Sequence, residues 1–179
     1  EILFSEHNEE IIGSEFYVMK FVSGEAPSDN PPYHMDPEGM MGKASPDQIR
    51  SVWFGWLENL VAFHKLNYED LELSMIHKRS NESSHLQSDL QYYKSFMEWG
   101  MDGEANTFLE EVLLWLFENL PLSLNPKKLC WGDSRIGNVL FEDFKVKSLL
   151  DWEMATIGDP LCDLAWGLTT DDVSSYGLN

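Results

Sequence analysis

The stretch from Leu129 to Trp166 constrains the fold more than any other part of this chain. Its pattern predicts a strand, a short loop and a β-hairpin, with Asp133 in the loop and Asp151 directly after the hairpin. Asn138 follows Asp133 at a spacing of five residues, just before the hairpin begins. We expect the two strand regions to deliver these carboxylates to one place. Oxygen donors of this kind are the ligands that Mg²⁺ prefers in proteins.

A second acidic motif follows, Gly158-Asp159-Pro160 and then Asp163-Leu164-Ala165. With Asp133, Asn138 and Asp151-Trp152-Glu153, it resembles the aminoglycoside phosphotransferase and choline kinase-like superfamily. The pattern of that family is His-Gly-Asp-x-x-x-x-Asn, then Asp-Trp-Glu, then Gly-Asp-Pro-x-x-Asp-Leu-Ala. Within this superfamily, the chain most resembles the phosphotransferase-like domains that accompany acyl-CoA dehydrogenases in some proteins. The resemblance extends over most of the chain, and its specific motifs lie in the final third.

The resemblance implies an α+β, protein kinase-like fold. Residues 1–24 would be the end of the N-terminal lobe and the hinge. Residues 25–179 would be the helical C-terminal lobe, which carries the metal-binding β-hairpin and is expected to be truncated at its C-terminus. Met19, Lys20 and Val22 match the hinge, where backbone groups of the latter two would bond adenine.

Local patterns predict the elements of such a fold independently. Ser45, Pro46 and Gln48 predict a helix start with a capping box, because Ser and Gln side chains at this spacing satisfy free backbone N–H groups. A loop rich in Pro and Gly is expected over 23–45. We expect the Trp and Met stripes of the helices to form the core. The other predicted elements are strands at 1–4, 15–22, 128–131, 139–141 and 146–150, and helices at 86–97, 108–120 and 163–168.

The resemblance also implies roles for individual side chains in phosphoryl transfer, which depends mainly on positioning and on metal charge. Asp133 would be the catalytic base, and Asn138 and Asp151 would bind Mg²⁺. Arg135 would meet the transferred phosphate, although a surface ion pair is an equally good interpretation. A structural role fits the other acidic residues better: bracing the loop and capping the following helix for Asp159 and Asp163, and a place beside the metal ligands for Glu153.

Two departures from the family pattern matter. Trp131 replaces the His that usually precedes Gly-Asp; that His is generally structural, and a Trp could pack in its place. In addition, no Gly-rich phosphate loop and no strand-borne Lys precede Glu1, so nothing in this chain would cover the triphosphate.

We therefore expect residues 1–179 alone to show negligible transferase activity, because both ends look cut and the phosphates need to be clamped between two lobes. Residues 1–22 should expose strand edges and apolar surface. Isothermal titration with Mg·ATP beside a turnover assay tests this expectation. Micromolar binding with ordinary turnover would contradict it.

The charge excludes one class of partner. The net charge is −19, from 31 acidic and 12 basic residues, whereas nucleic-acid binding needs clustered Lys and Arg. The same charge permits a cationic substrate, with a solvated acidic surface as the simpler interpretation.

The sequence also predicts a cytoplasmic protein. No apolar run reaches the roughly 20 residues of a membrane helix, and the first residues lack the features of a signal peptide. Cys130 and Cys162 are expected to be buried free thiols, which favours a reducing compartment.

Three functions remain open from the sequence. The first is an ATP- or GTP-dependent small-molecule kinase whose substrate is a hydroxylated metabolite or antibiotic. The second is a kinase-like binding module without catalysis. The third is a Mg²⁺-dependent hydrolase of phosphate esters, built on Asp133, Asp151, Asp159 and Asp163.

Overall fold

The long helix α1 (Pro46–His64) lies at the centre of the core. A computed structural model describes residues 1–71, 73, 76, 85–121 and 125–176. The predicted capping box is present, because Ser45 Oγ accepts from Gln48 N at 3.3 Å and Gln48 Oε1 accepts from Ser45 N at 2.8 Å. One face of α1 is buried, and Trp56 on that face donates its indole N–H to the carbonyl of Ser134 at 2.7 Å. The helix is thereby fixed to the loop that carries Asp133.

In the part of the chain that the structure describes, six strands form three small antiparallel sheets, β1 with β2, β3 with β6, and β4 with β5. The strands are β1 (Ile2–Glu6), β2 (Phe16–Met19), β3 (Lys128–Cys130), β4 (Val139–Glu142), β5 (Lys145–Leu149) and β6 (Thr156–Gly158). All except β6 were predicted. The last helix, α4 (Pro160–Ser175), begins three residues before the predicted start, because Asp159 caps it by accepting from Leu161 N at 2.9 Å, and it also extends beyond the predicted end.

The segment after β2 is joined to the β4–β5 hairpin. Glu25 and Phe141 exchange two backbone hydrogen bonds, each of 2.8 Å. Gly24 precedes this contact with a φ of +150°, and a Cβ at Gly24 would lie 2.9 Å from the carbonyl oxygen of Phe141. Glycine is therefore needed here for the close approach of the two backbones. The result is that Gly24 and Glu25 lie at the edge of the hairpin.

The apolar stripes of helices α2 (His85–Gly100) and α3 (Thr107–Glu118) do not form the core, although the sequence predicted that they would. They pack chiefly against each other, and none of their described side chains is fully buried. Trp99 is 76% exposed and Trp115 is 61% exposed. The prediction that Trp stripes form the core is therefore right for α1 and wrong for these two helices, since a pair of helices that packs mainly on itself leaves its outer faces in solvent.

The β1–β2 hairpin exposes apolar side chains, as expected for residues 1–22. Most of its large apolar residues are at least half exposed, and Phe21 directly after it is 86% exposed. Among the described residues, no helix combines the length and the apolar character needed to cross a membrane.

Candidate active site

Asp133 and Asn138, predicted as base and metal ligand, are in direct contact. The Asn138 amide donates to Asp133 Oδ2 at 2.8 Å and to the Asp133 carbonyl at 3.1 Å. The loop between them ends in a single 3₁₀ turn at Ile136–Asn138, which places Asn138 beside Asp133 and buries it. Because the amide N–H groups point to Asp133, the amide oxygen is the atom that Asn138 can offer to a metal.

Asp133 also accepts two further hydrogen bonds. Arg135 Nε donates to its Oδ2 at 3.0 Å, and Trp166 Nε1 donates to its Oδ1 at 2.7 Å. Burial raises the pKa of Asp133, but the hydrogen bonds from Trp166, Arg135 and Asn138 outweigh this and hold the pKa below its ordinary value. The carboxylate is therefore ionised and can accept a hydrogen bond from a hydroxyl group.

Trp166 was not identified from the sequence as part of the site. It directly follows the Asp163-Leu164-Ala165 motif, on the first turns of α4. Its contact with Asp133 joins residues 33 positions apart. No spacing in the sequence identifies an indole as the hydrogen-bond donor to a carboxylate. The contact between Trp166 and Asp133 is therefore revealed only by the position of α4 beside the loop.

Leu150, the residue before Asp151, is paired to the same loop through its backbone. The hydrogen bond from Leu150 N to the Asn138 carbonyl, at 2.8 Å, extends the β4–β5 pairing and puts Asp151 next in the chain. Asp151 has a φ of +58°, outside ordinary strand geometry, and it is exposed. Few residue types other than Gly, Asn and Asp adopt such a φ readily.

Trp131 is fully buried in the place where the family pattern has His. Its indole N–H donates to the carbonyls of Leu150 at 2.8 Å and of Asp151 at 3.1 Å. Its ring also lies against Trp152, with 5.6 Å between the ring centroids. The expectation that a Trp can pack there is confirmed, and the side chain in addition connects the Asp133 loop to the Asp151 turn.

Asp163 braces the whole loop, as expected, and is only 1% exposed. Its Oδ2 accepts from Trp131 N at 2.8 Å and contacts His64 Nε2 at 2.7 Å, and its Oδ1 accepts from Gly132 N at 2.8 Å. Gly132 has a φ of +89°, and a Cβ there would overlap the carbonyl oxygen of Met154. The carboxylate therefore fixes a tight backbone turn directly before Asp133.

Arg135 lies between two carboxylates. It forms ion pairs with Asp133 and with Asp29 from the loop that precedes α1. This is the ion-pair arrangement that the sequence left open beside a phosphate role. A phosphate role remains a prediction, and it would require the guanidinium to exchange Asp29 for phosphate oxygens.

The residues predicted to form the hinge lie at the end of β2 and just after it. Met19 pairs with Ile2, and Lys20 N donates to the Glu1 carbonyl at 2.9 Å, so this N–H is used within the hairpin. Val22 is half-buried. The adenine contact stays a prediction for these residues; the Lys20 carbonyl is a backbone group that could make it.

Two curated relatives are similar over most of the chain. The human protein named acyl-CoA dehydrogenase family member 11 is 30% identical over 162 residues, which are 87% of this chain and 18% of that protein. The Gallus gallus protein of the same name is 29% identical over 161 residues, with the same two shares. The chain thus spans about a fifth of the length of these relatives.

Two solved structures share the fold. A Ralstonia eutropha protein with the provisional name aminoglycoside phosphotransferase has a TM-score of 0.70 at 24% identity, over 92% of this chain and 47% of its own. The macrolide 2'-phosphotransferase of Brachybacterium faecium has a TM-score of 0.57 at 18% identity, over 91% and 53%. At these identities the likeness establishes the kinase-like fold.

The family is established by a match over nearly the whole chain. The model of the "Phosphotransferase enzyme family" matches residues 1–176, which includes the β1–β2 hairpin, the Asp133 loop and α4. The chain belongs to the phosphotransferase enzyme family.

Proposed function

We propose that this chain carries the transfer site of a kinase that moves the γ-phosphate of ATP or GTP to a hydroxyl group of a small molecule. The observation that carries the proposal is the contact between Asp133 and Asn138, together with the backbone hydrogen bond from Leu150, the residue before Asp151, to Asn138. Family membership supports a phosphotransferase in general. The nucleotide, the metal and the hydroxyl acceptor are parts of the proposal.

In the proposed reaction the acceptor hydroxyl donates a hydrogen bond to Asp133, which aims its oxygen at the γ-phosphorus. The new bond forms between the acceptor oxygen and phosphorus, and the bond from phosphorus to the leaving diphosphate oxygen breaks. The hydroxyl proton passes to the Asp133 carboxylate. Because phosphoryl transfer needs little covalent help from the protein, a carboxylate of low pKa held by three side chains serves mainly to orient the nucleophile.

The residues at the proposed metal position fit Mg²⁺. The Asn138 amide oxygen and the Asp151 carboxylate are hard oxygen donors, and Mg²⁺ takes only one or two ligands of this kind from a protein, with phosphates and water supplying the rest. When bound, Mg²⁺ offsets negative charge on the phosphates. The protein contributes the orientation, since Asp133 holds the Asn138 amide and Trp131 holds the backbone carbonyl of Asp151.

Replacing Asp151 with alanine is expected to abolish Mg²⁺-dependent nucleotide binding in the full-length protein, because the carboxylate is the charged ligand. Asn138→Ala should weaken this binding and slow transfer. Isothermal titration with Mg·ATP and Mg·GTP measures both effects. Asp143→Ala is the matched control, since Asp143 is also an exposed Asp at positive φ, in the β4–β5 turn. Equal nucleotide binding by Asp151→Ala and Asp143→Ala would contradict the metal assignment.

The function is tested by following phosphate transfer from labelled ATP and GTP to amino sugars, choline-like amines and hydroxyacyl thioesters. Transfer to any of these hydroxyl groups supports the proposal. Hydrolysis of phosphate esters without nucleotide would favour the hydrolase instead. Nucleotide binding with no transfer to any acceptor would favour a binding module.

A further inference from the structure

A cavity of about 310 Å³ lies next to the loop that carries Asp133. Its walls come from three parts of the fold: α2 on one side, the β3–β6 sheet behind, and α4 on the other side. Gly132, the residue before Asp133, lines it, and so does Trp166, whose indole donates to Asp133 Oδ1. The cavity and the proposed base therefore share two neighbouring groups.

The hydrogen bonds of Asp133 indicate which of its oxygens is open to an acceptor. A carboxylate can accept about two hydrogen bonds at each oxygen. Oδ2 already accepts from Arg135 Nε and Asn138 Nδ2, whereas the described side chains give Oδ1 one bond, from Trp166. The remaining acceptor position is therefore on Oδ1, the oxygen that is bonded to Trp166, and Trp166 is a wall residue of the cavity.

The size of the cavity limits the class of molecule that it can hold. Water occupies about 30 Å³ per molecule in the liquid, so 310 Å³ corresponds to roughly ten non-hydrogen atoms. An amino sugar of several rings or a macrolide is far larger. The cavity is at the small end of the range seen for ligand pockets.

The chemistry of the walls narrows the class further. Of the three carboxylates in the cavity wall, Asp159 caps α4 and Asp163 holds the backbone of Trp131 and Gly132, and the third, Asp89 of α2, is also engaged in an interaction. Burial raises the pKa of the Cys130 thiol, so this wall residue is neutral. Much of the remaining surface is apolar or sulfur-containing, including Met154, Ala165 and the Trp166 ring.

We infer that this cavity binds the acceptor, and that the acceptor part it holds is a small, predominantly apolar alcohol whose hydroxyl donates to Asp133 Oδ1 beside Trp166. The inference rests on the proposed function for its catalytic meaning. It assigns no polycationic acceptor to this site, although the net charge of the chain would permit one.

Binding is tested on this chain without relying on turnover. Cys162 lines the cavity and is half-buried, so an occupied cavity should slow its alkylation by N-ethylmaleimide, as followed by mass spectrometry of the modified peptide. The probe is 2-phenylethanol, which has nine non-hydrogen atoms by its formula. The comparison compounds are ethylbenzene, without the hydroxyl, 2-phenylethylamine, with a charge, and kanamycin, a large amino sugar.

Gly158→Ala is the variant that narrows the cavity. A Cβ there would lie 3.7 Å from Asp89 Oδ2 and 4.0 Å from Cys130 Sγ, which are ordinary contacts, so the methyl group fits without displacing its neighbours. Gly100→Ala is the matched control, because its Cβ would meet nothing within 4 Å and the residue lies outside the cavity. Thermal unfolding of both variants checks that they fold.

We expect 2-phenylethanol to protect Cys162 better than the three comparison compounds do. Gly158→Ala should raise the concentration needed for half-protection about tenfold, the usual effect of one methyl group in a filled apolar pocket, and Gly100→Ala should leave it unchanged. Absence of protection, better protection by the amine or by kanamycin, or equal protection in the folded Gly158→Ala variant would each overturn the inference.

Turnover in the full-length protein separates this inference from the proposed function. If the alcohol protects Cys162 but no acceptor is phosphorylated, the cavity assignment is supported and the proposed kinase function is wrong. If acceptors are phosphorylated but do not protect Cys162, the proposed kinase function is supported and the cavity assignment is wrong.

Discussion

Replacement of Asp133 by asparagine is expected to lower turnover of the full-length protein by at least about 10²-fold, the low end of the range for general-base catalysis. The amide cannot take the hydroxyl proton, and its N–H₂ group would face the donors Arg135 and Asn138 or the donor Trp166. Nucleotide binding should change little, because the base does not hold the nucleotide. Steady-state kinetics together with nucleotide titration measures the two effects separately.

Asp143→Asn provides the control for Asp133→Asn, since it removes the same charge from the exposed turn of the β4–β5 hairpin. The pH profile offers a second check. The pKa of Asp133 is held below its ordinary value, so the carboxylate is still ionised at a pH near the ordinary pKa of Asp. Any loss of activity from protonation of Asp133 should therefore occur only as the pH falls below that ordinary pKa. Near-normal turnover in Asp133→Asn would remove Asp133 as the base.

Replacement of Asp163 by alanine is expected to destabilise this chain by roughly 3 kcal/mol or more. The change leaves three polar groups without their carboxylate partner, the backbone N–H groups of Trp131 and Gly132 and the ring of His64. A buried group that loses its partner costs about 1–3 kcal/mol. Denaturant unfolding of the parent and of the variant gives the free energy difference directly.

Asp172→Ala is the matched control on the same helix, because Asp172 is exposed on α4. An exposed substitution of this kind should change the free energy of unfolding by no more than about 0.5 kcal/mol. Equal stability of Asp163→Ala and Asp172→Ala would show that the Asp163 contacts do not hold the loop.

Much of the site was predictable because its chemistry is local in sequence. Asp133 and Asn138 are five residues apart and meet across one turn, and the hairpin that follows has strong β-formers in both strands. The α1 cap was predictable for the same reason, since Ser45 and Gln48 bond each other's backbone. A hydrogen bond between residues close in sequence needs particular residue types at a fixed spacing, so it can be recognised from the sequence.

Long-range contacts explain what the sequence did not reveal. Strand β6 has only three residues and exists because it pairs with β3, so it has no periodicity of its own. Trp166 meets Asp133 only through the position of α4. The exposed stripes of α2 and α3 look like core residues in the sequence, because apolar spacing shows that a helix has an apolar face but not how completely that face is covered.

The indole of Trp131 has a consequence for acid tolerance. An imidazole in this position would titrate close to neutral pH, and its hydrogen bonding would change with its protonation state. An indole N–H is a permanent donor with no acceptor role and no proton exchange in that range. The hydrogen bonds from the Trp131 side chain to the carbonyls of Leu150 and Asp151 therefore do not depend on a proton that the side chain gains or loses between mildly acidic and neutral solution.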